Sequence, residues 1–514
     1  MGESLLVQKK INILIENTRI PVDTFNGLVH VEWDPNASVT SLGQLPFFIE
    51  FLKLGGLFDS WVEDCPLEFT SPNAPSKRDI LGTLLLSILS GHKRYAHVTS
   101  IRSDNVNPKL LGMNKVVSED SLRRSLLKMD EEAGIAWLQE HLNKCYAPLL
   151  SEPWILDMDV TVKVLYGKQE GAVRGYNPTK PGRPSHAYHT YSIGNLRLVL
   201  DGEVQPGNQT AASYSAPGLW ELLDSLPRKK WPKFMRADNA YGTNEIMSEA
   251  ERRLLPYLFK LKVTKNVKRL IKTIQSNSAW TQAAYGFEGQ EAMLQLTGWG
   301  EKRRVIILRQ QIAADDSYLT EATNDTQLQQ LEFDFGDSKD NKAVAYKYSV
   351  LVTSLTDDII ALTQHYRDRA DSENIFDELK NQWGWGGFAT QDLKRCRFLS
   401  RTVALIYNWW NIFVRLAKPD KHLEAITSRP LLLHAIGKET SHAGQTSIRI
   451  TSAHGAASSI QQMLGRIVAF FNELKNSAEQ LTTAQCWSRM LSKAVEKFLG
   501  GRQLFEPKHL EAPA

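Results

Sequence analysis

The sequence predicts an α/β protein in which helical N- and C-terminal regions flank a mixed sheet, and three observations predict it. From Trp154 the residues alternate between apolar and polar, as in a half-buried strand. From Trp231 to Val263 a strand-like run, a carboxylate, a helical pattern and a second strand-like run succeed one another, the alternation that adds parallel strands to a sheet. Arg78–Leu150 and the C-terminal part repeat apolar residues at helical spacing instead.

At 514 residues the chain has room for roughly three or four domains. Its 42% hydrophobic and 23% charged residues suit a globular protein with a large core. A net charge of +4 says little about partners, but the charges are segregated. Eight Lys/Arg and no acid lie between Arg252 and Lys272, and eight acids and one lysine between Asp315 and Asp340. A basic stripe of this kind is a track for a phosphate backbone. The four cysteines are scattered with no C-x-x-C pair, which argues against a zinc module or disulfide framework and fits a reducing cytosol. The apolar run from Ile80 is too short to span a bilayer, and the N-terminus shows no cleavage pattern. The expectation is a cytoplasmic, nucleoid-associated protein with no membrane partner.

Along the chain, residues 1–75 are mixed and 76–150 read as a helical region, with Ser118 opening its second helix. "HKRYAH" and "SLRRS" make it a candidate DNA-binding module. In "WILDMDVTVKVLY", Ile155, Asp157, Asp159, Thr161 and Lys163 share one face of the strand. A basic Gly/Pro-rich loop follows (Gly175–Ser185), with Lys180 and Arg183 in reach of DNA. Two strands divided by Gly194-Asn195 come next, completing an antiparallel meander. His186 and His189 have metal-like spacing but point opposite ways on a strand, so they read as surface histidines rather than ligands. Asp238 stands where a strand hands over to a loop, a usual place for function in α/β sheets. Strand-like pieces then run from about Ser276 to Leu355, broken by the acidic stretch, and "YNWW" (Tyr407–Trp410) reads as core packing.

The segment "HYRDRADSENIFDELKNQWGWGG" (His365–Gly387) carries five acids. Treated as one helix, it puts Tyr366 at about +20°, Arg369 at −40°, Lys380 at −20° and Asp377 at +40° relative to Glu373. Asp368, Asp371 and Glu378 fall on the far side. A Tyr/Arg/Glu/Lys face is either a self-neutralising surface stripe or a metal-binding carboxylate beside phosphate-gripping cations. Together with Asp159 and Asp238, Glu373 makes a three-carboxylate set without His or Cys, which suits a hard cation such as Mg²⁺.

Three motifs in this order resemble the DDE transposases of bacterial insertion sequences: "DMDVTVKVLYG", "RADNAYG" and Tyr366-x2-Arg369-x3-Glu373-x6-Lys380. "EGAVRGYNPTKPGRPSHAYH" and "TSRPLLLHAIGKETSHAGQT" are similar to the same family, so the resemblance covers roughly Asp157–Thr446. It implies an RNase H-like catalytic core interrupted by a mainly β insertion domain. The expected division is 1–75 mixed segment, 76–150 helical DNA-binding region, 151–275 first part of the core, 276–355 insertion, 356–415 second part of the core, and 416–514 helical C-terminal region. It further implies that Asp159, Asp238 and Glu373 hold two Mg²⁺, with Mn²⁺ as substitute, and that Tyr366, Arg369 and Lys380 contact phosphates. Asp157 is the rival for the first position and Asp377 for the third. Trp299 is the candidate insertion-domain tryptophan that stacks on a displaced base, with Trp280 nearby. The implied reaction is cleavage at terminal inverted repeats and joining of the 3′-hydroxyl to target DNA by a homodimer on double-stranded DNA. A metal nuclease or resolvase without strand transfer, and a non-catalytic DNA-binding descendant, are the alternatives.

Overall fold

The computed structural model describes residues 19–504 apart from 179, 210, 278, 313–344, 389, 452–454 and 479; the side chains of 212–217, 276–277, 312, 345 and 370–373 also lie outside the described residues. At the N-terminal end, β1 (Ile20–Thr24) and β2 (Gly27–Val31) form an exposed hairpin, followed by β3 (Val39–Thr40). Helices α1 (Leu45–Leu54), α2 (Leu57–Glu63), α3 (Lys77–Leu89), α4 (Asn107–Leu110), α5 (Glu119–Lys128) and α6 (Glu131–Tyr146) come next. Ser76 starts α3 by accepting from Asp79 N at 3.0 Å, and α3 is then buried on every side, as its unbroken apolar run demands. Ser118 caps α5 as expected, but the helix expected to continue stops at Met129, whose backbone is extended. Asp130 then opens α6 by accepting from Ala133 N at 2.9 Å.

The central sheet takes β4 (Ile155–Val164), β5 (Val173–Arg174), β6 (Pro184–Ile193) and β7 (Leu198–Pro206). After α7 (Ala211–Asp224) it takes β8 (Phe234–Ala237), then α8 (Asn244–Arg252) and β9 (Tyr257–Lys260). Helix α9 (Lys265–Asn277) leads to β10 (Thr281–Gln282), β11 (Glu288–Leu294), β12 (Arg303–Ile312) and β13 (Ala345–Thr353). The order across the middle is β7-β6-β4-β8-β9, with β4, β8 and β9 parallel and β6 antiparallel to β4. This is the expected meander with two parallel strands added. The strands of 276–355 were expected as a mainly β insertion that interrupts the core. The described ones are continuous with this sheet, because β13 pairs with β9 through Leu351↔Lys260, Val352↔Phe259 and Thr353↔Leu258. The acidic stretch lies outside the described residues.

Two helices, α10 (Ile359–Arg367) and α11 (Ala370–Gln382), follow, and α10 packs Leu362 against Phe234, Leu258, Ile306 and Leu351 on one sheet face. The long α12 (Leu393–Ala417) lies along β7. Asn408 on α12 accepts from Val199 N at 2.9 Å and donates to Val199 O at 2.8 Å, so a side chain replaces the partner that an edge strand lacks. Tyr407, Trp409 and Trp410 are buried, the core role read from sequence. Trp61 stacks on Trp137 and meets Trp409 edge-on, so the N-terminal helices share one core with α12. Beyond α13 (Ala425–Leu432), the C-terminal region contains an unexpected hairpin, β14 (Gly437–His442) and β15 (Gln445–Ile450), before α14 (Ala457–Lys475) and α15 (Thr483–Ala494). It turns through Ala443 and Gly444, both at positive φ, and β14 pairs with β3, joining the two ends of the chain. Among the described residues, no helix is long and apolar enough to cross a membrane.

Candidate active site

Asp157, Asp159, Thr161 and Lys163 occupy alternate positions of β4 and so share a face. Phe234, Arg236 and Asp238 do the same on β8 and just beyond it. Ile155 and Phe234 pack in the cluster under α10, which identifies this face as the one that α10 covers. The parallel register pairs Asp157 with Arg236 and Met158 with Ala237. The paired register ends there, and Asp159 and Asp238 are each the next residue along their chain segments. Both are only partly buried. Asp238 is held in a turn by Ala240 N, which donates to its Oδ1 at 3.0 Å.

Asp157 is occupied otherwise. Its carboxylate is fully buried and takes two bonds from Arg236, Nε to Oδ1 at 2.7 Å and Nη2 to Oδ2 at 2.6 Å. Arg236 is itself 1% exposed and donates through Nη1 to the His365 carbonyl at the end of α10. The ion pair therefore joins β4, β8 and α10, and Asp157 serves the fold.

The segment read as one helix is jointed. Asp368 N still bonds Gln364 O at 2.9 Å, but Arg369 N bonds Tyr366 O at 3.1 Å, a tightened i→i+3 turn between α10 and α11. The angles computed for a continuous helix therefore apply only to residues that share α11, namely Asp371, Glu373, Asp377, Glu378 and Lys380. The backbone of Glu373 lies in α11, between the joint anchored by Arg236 and the turn bearing Lys380; its side chain lies outside the described residues. Asp371 shares that status. Asp377 is exposed and accepts from Asn381 at 2.6 Å, and Asp368 accepts from Gln364 at 2.6 Å. Glu378 is 2% exposed and accepts from Trp383 Nε1 at 3.1 Å, His422 Nε2 at 3.0 Å and Ala425 N at 2.9 Å. It fastens α11 to α13.

Lys380 lines a cavity with Thr161 of β4 and Thr190 of β6, the residue paired with Asp159. Arg369 is 3% exposed, and Tyr366 is half-buried against the cluster under α10. Trp299 is 8% exposed with the Arg303 guanidinium 5.2 Å from its ring centroid. Trp280 has Arg309 at 4.1 Å over its ring. Lys180 and Arg183 stand over Tyr166, at 5.1 and 5.5 Å from its centroid, and form an exposed basic tip beyond β4. His186 and His189, expected at the surface, are both fully buried. Their Nε2 atoms sit 2.8 Å from Glu170 O and 2.9 Å from Gln209 O, because β6 is covered on both faces. Arg236 and Lys163 were not singled out from the sequence, although both follow the same two-residue alternation as the carboxylates.

Among the described residues, no three His, Cys, Asp or Glu side chains form a metal-sized group. The carboxylate oxygens of Asp159 and Asp238 are hard donors, of the kind that suits a divalent cation such as Mg²⁺ or Mn²⁺.

A family-wide sequence model described as "Transposase DDE domain group 1" matches residues 71–470. The chain belongs to this transposase family. Comparison with curated proteins finds no match. Among solved structures, the chain is similar to a cryo-EM structure of the piggyBac transposase synaptic complex with hairpin DNA, at 10% identity over 97% of this chain and 90% of that one. The TM-score is 0.35, a likeness too distant to build on.

Proposed function

We propose that this transposase cuts DNA at the ends of its element and joins the freed 3′-hydroxyl to target DNA, with Asp159, Asp238 and Glu373 as the metal-holding triad. The observation that supports the reading is the β4–β8 register, which pairs Asp157 with Arg236 and Met158 with Ala237, so that Asp159 and Asp238 are each the next residue along, on the sheet face that α10 covers. The β7-β6-β4-β8-β9 order supports an RNase H-like core, since that core needs a three-strand meander followed by two parallel strands.

Bound divalent metal would supply charge neutralisation at the phosphate and a more acidic water or 3′-hydroxyl. The carboxylates hold it in place, and Lys380 on α11 faces the phosphates beside them. In cleavage, water oxygen bonds to phosphorus as the bond to the 3′-oxygen breaks, leaving a 3′-hydroxyl and a 5′-phosphate. In joining, that 3′-hydroxyl attacks a target phosphodiester and displaces its 3′-oxygen. The exposed Lys180–Arg183 tip and the basic face of α9 extend the contact along duplex DNA. Two ends must be held together, which calls for two copies of the chain.

The test is a cleavage and joining assay on a duplex bearing the terminal repeats that flank the gene. Asp159→Asn and Asp238→Asn should each lower cleavage by about a thousandfold, the effect of losing several kcal/mol of transition-state stabilisation, with end binding retained. Cleavage without joined product would favour a nuclease, and binding without cleavage by the unaltered protein would leave only a DNA-binding descendant.

A further inference from the structure

The Gly-rich turn after α11 has no part in the chemistry above, yet it closes a cavity of about 380 Å³ against β4 and β6. Three lysines line that cavity, Lys93, Lys163 and Lys380, and no acid does. Among the described residues none of the three forms an ion pair. The contrast with a second basic cavity is direct. That one, of about 330 Å³, is lined by Arg123, Arg124 and Arg395, but Glu119, Asp120 and Asp392 pair with them.

The turn is shaped around two of the lysines. Gly384 has φ +66°, and a Cβ there would stand 2.8 Å from His92 O and 3.0 Å from Lys93 Cα. A Cβ on Gly387 would reach 2.2 Å from Lys93 O, and one on Gly386 would lie 3.0 Å from Lys163 Cδ and 3.6 Å from its Nζ. The glycines therefore let the backbone press against Lys93 and Lys163. Burial pulls the Lys163 ammonium down to about 8, with Cys396 acting the other way and Arg94 adding to the depression. A desolvated cation without a carboxylate gains most from an incoming anion. The remaining walls include Tyr188, Phe376 and Trp385, flat apolar surfaces of the sort that sugars and bases rest on. Lys163 lies four residues beyond Asp159 on the same face, about 13 Å along the strand.

We propose that this cavity is a phosphodiester subsite that takes one nucleotide of a DNA strand running from the carboxylates, with Lys93 and Lys163 on its phosphate and Phe376 and Trp385 against its sugar and base. The proposal rests on the DNA-cleaving reading. It is tested in the full chain with Lys163→Met and Lys93→Met, using the terminal-repeat duplex and a scrambled duplex across a salt series. Each variant should reduce the slope of log affinity against log salt by about 0.9 and weaken binding by about tenfold. Lys163→Met should melt no lower than the unaltered protein without DNA, since a desolvated charge is removed. Weakened binding to the terminal-repeat duplex assigns the subsite to the transposon end; intact end binding with impaired joining to the scrambled duplex assigns the same chemistry to target DNA. Unchanged slopes, cleavage and joining in both variants would overturn the proposal, as would a lowered melting point with an unchanged slope. Failure of the unaltered protein to cleave would instead overturn the reading on which the proposal stands.

Discussion

Asp157→Asn separates a structural carboxylate from a catalytic one. The substitution keeps the shape and removes the charge, leaving the Arg236 guanidinium buried at 1% exposure without its counterion. Breaking one partner of a buried pair costs about 3–5 kcal/mol. Unfolding entropy is roughly 2.1 cal/mol/K per residue, so a cooperative unit of 514 residues loses about 1 °C per kcal/mol. The expected fall in Tm is therefore about 3–5 °C. Asp157→Leu combined with Arg236→Met should be milder than either change alone, because apolar replacement of a whole buried pair is close to neutral. It will not be fully neutral, because the His365 carbonyl loses its donor, a loss of about 1–3 kcal/mol. Thermal melting reads the stability, and cleavage of the terminal-repeat duplex well below Tm reads the activity, which Asp157→Asn should largely keep. An Asp157→Asn protein that melts normally but does not cut, beside an Asp159→Asn protein that does, would reverse the two roles.

Glu378→Gln should lower stability by about 1–3 kcal/mol, since its three donors surround a buried anion, and should leave cleavage at low temperature intact. Glu373→Gln, five residues earlier on the same helix, should do the opposite, and calorimetry run beside the cleavage assay distinguishes them. Chelation with EDTA should abolish cleavage while anisotropy still reports end binding, and Mg²⁺ or Mn²⁺ should restore cutting; cutting that survives chelation refutes metal dependence. Burial lowers His92, His141 and His189 from 6.5 to about 4. Their neutral forms therefore add stability above pH 6.5 that is lost as pH falls towards 4. Tm should drop across that window, and His189→Gln should flatten the drop; an equally steep profile in that variant counts against it.

Much of the central sheet could be read in advance because its causes are local. The β4 alternation, the Gly194-Asn195 turn and the strand–carboxylate–helix run through Asp238 each depend on residues close in sequence. The choice between Asp157 and Asp159 could not be read that way. Both sit on one face, and what separates them is Arg236, which lies 79 residues from Asp157 in the chain. The same limit applies to His186 and His189: alternation shows that they face opposite ways, but not that β6 is covered on both sides. Strand periodicity also cannot reveal whether β10–β13 pair among themselves or continue the sheet, since that rests on β13 meeting β9. The helix breaks at Met129 and Asp368–Arg369 escaped for a different reason. Apolar spacing runs through both joints; at the first the local sign was Asp130, a capping residue just before an acidic first turn.

The buried pair also explains why two carboxylates lie two residues apart on β4. A parallel strand pair can slip in register, and a slip of one residue turns every side chain to the opposite face. A slip of two keeps the faces but would set Asp159 opposite Arg236 and move it away from Asp238. Only the observed register satisfies the bidentate bond between Asp157 and Arg236, and Asp159 and Asp238 each lie two residues further on. Gly194 closes the arrangement from the next turn, where a Cβ would stand 1.8 Å from Asp157 Oδ2 and 2.8 Å from Arg236 Nη2. Any side chain at 194 would displace the carboxylate and loosen the register it fixes. The remaining Arg236 donor then ties the same point to the end of α10, which leads through the joint into the helix bearing Glu373. One arginine thus relates the positions of all three proposed metal ligands without touching the reaction. Replacing it should scatter the triad and abolish cleavage even where the protein still folds.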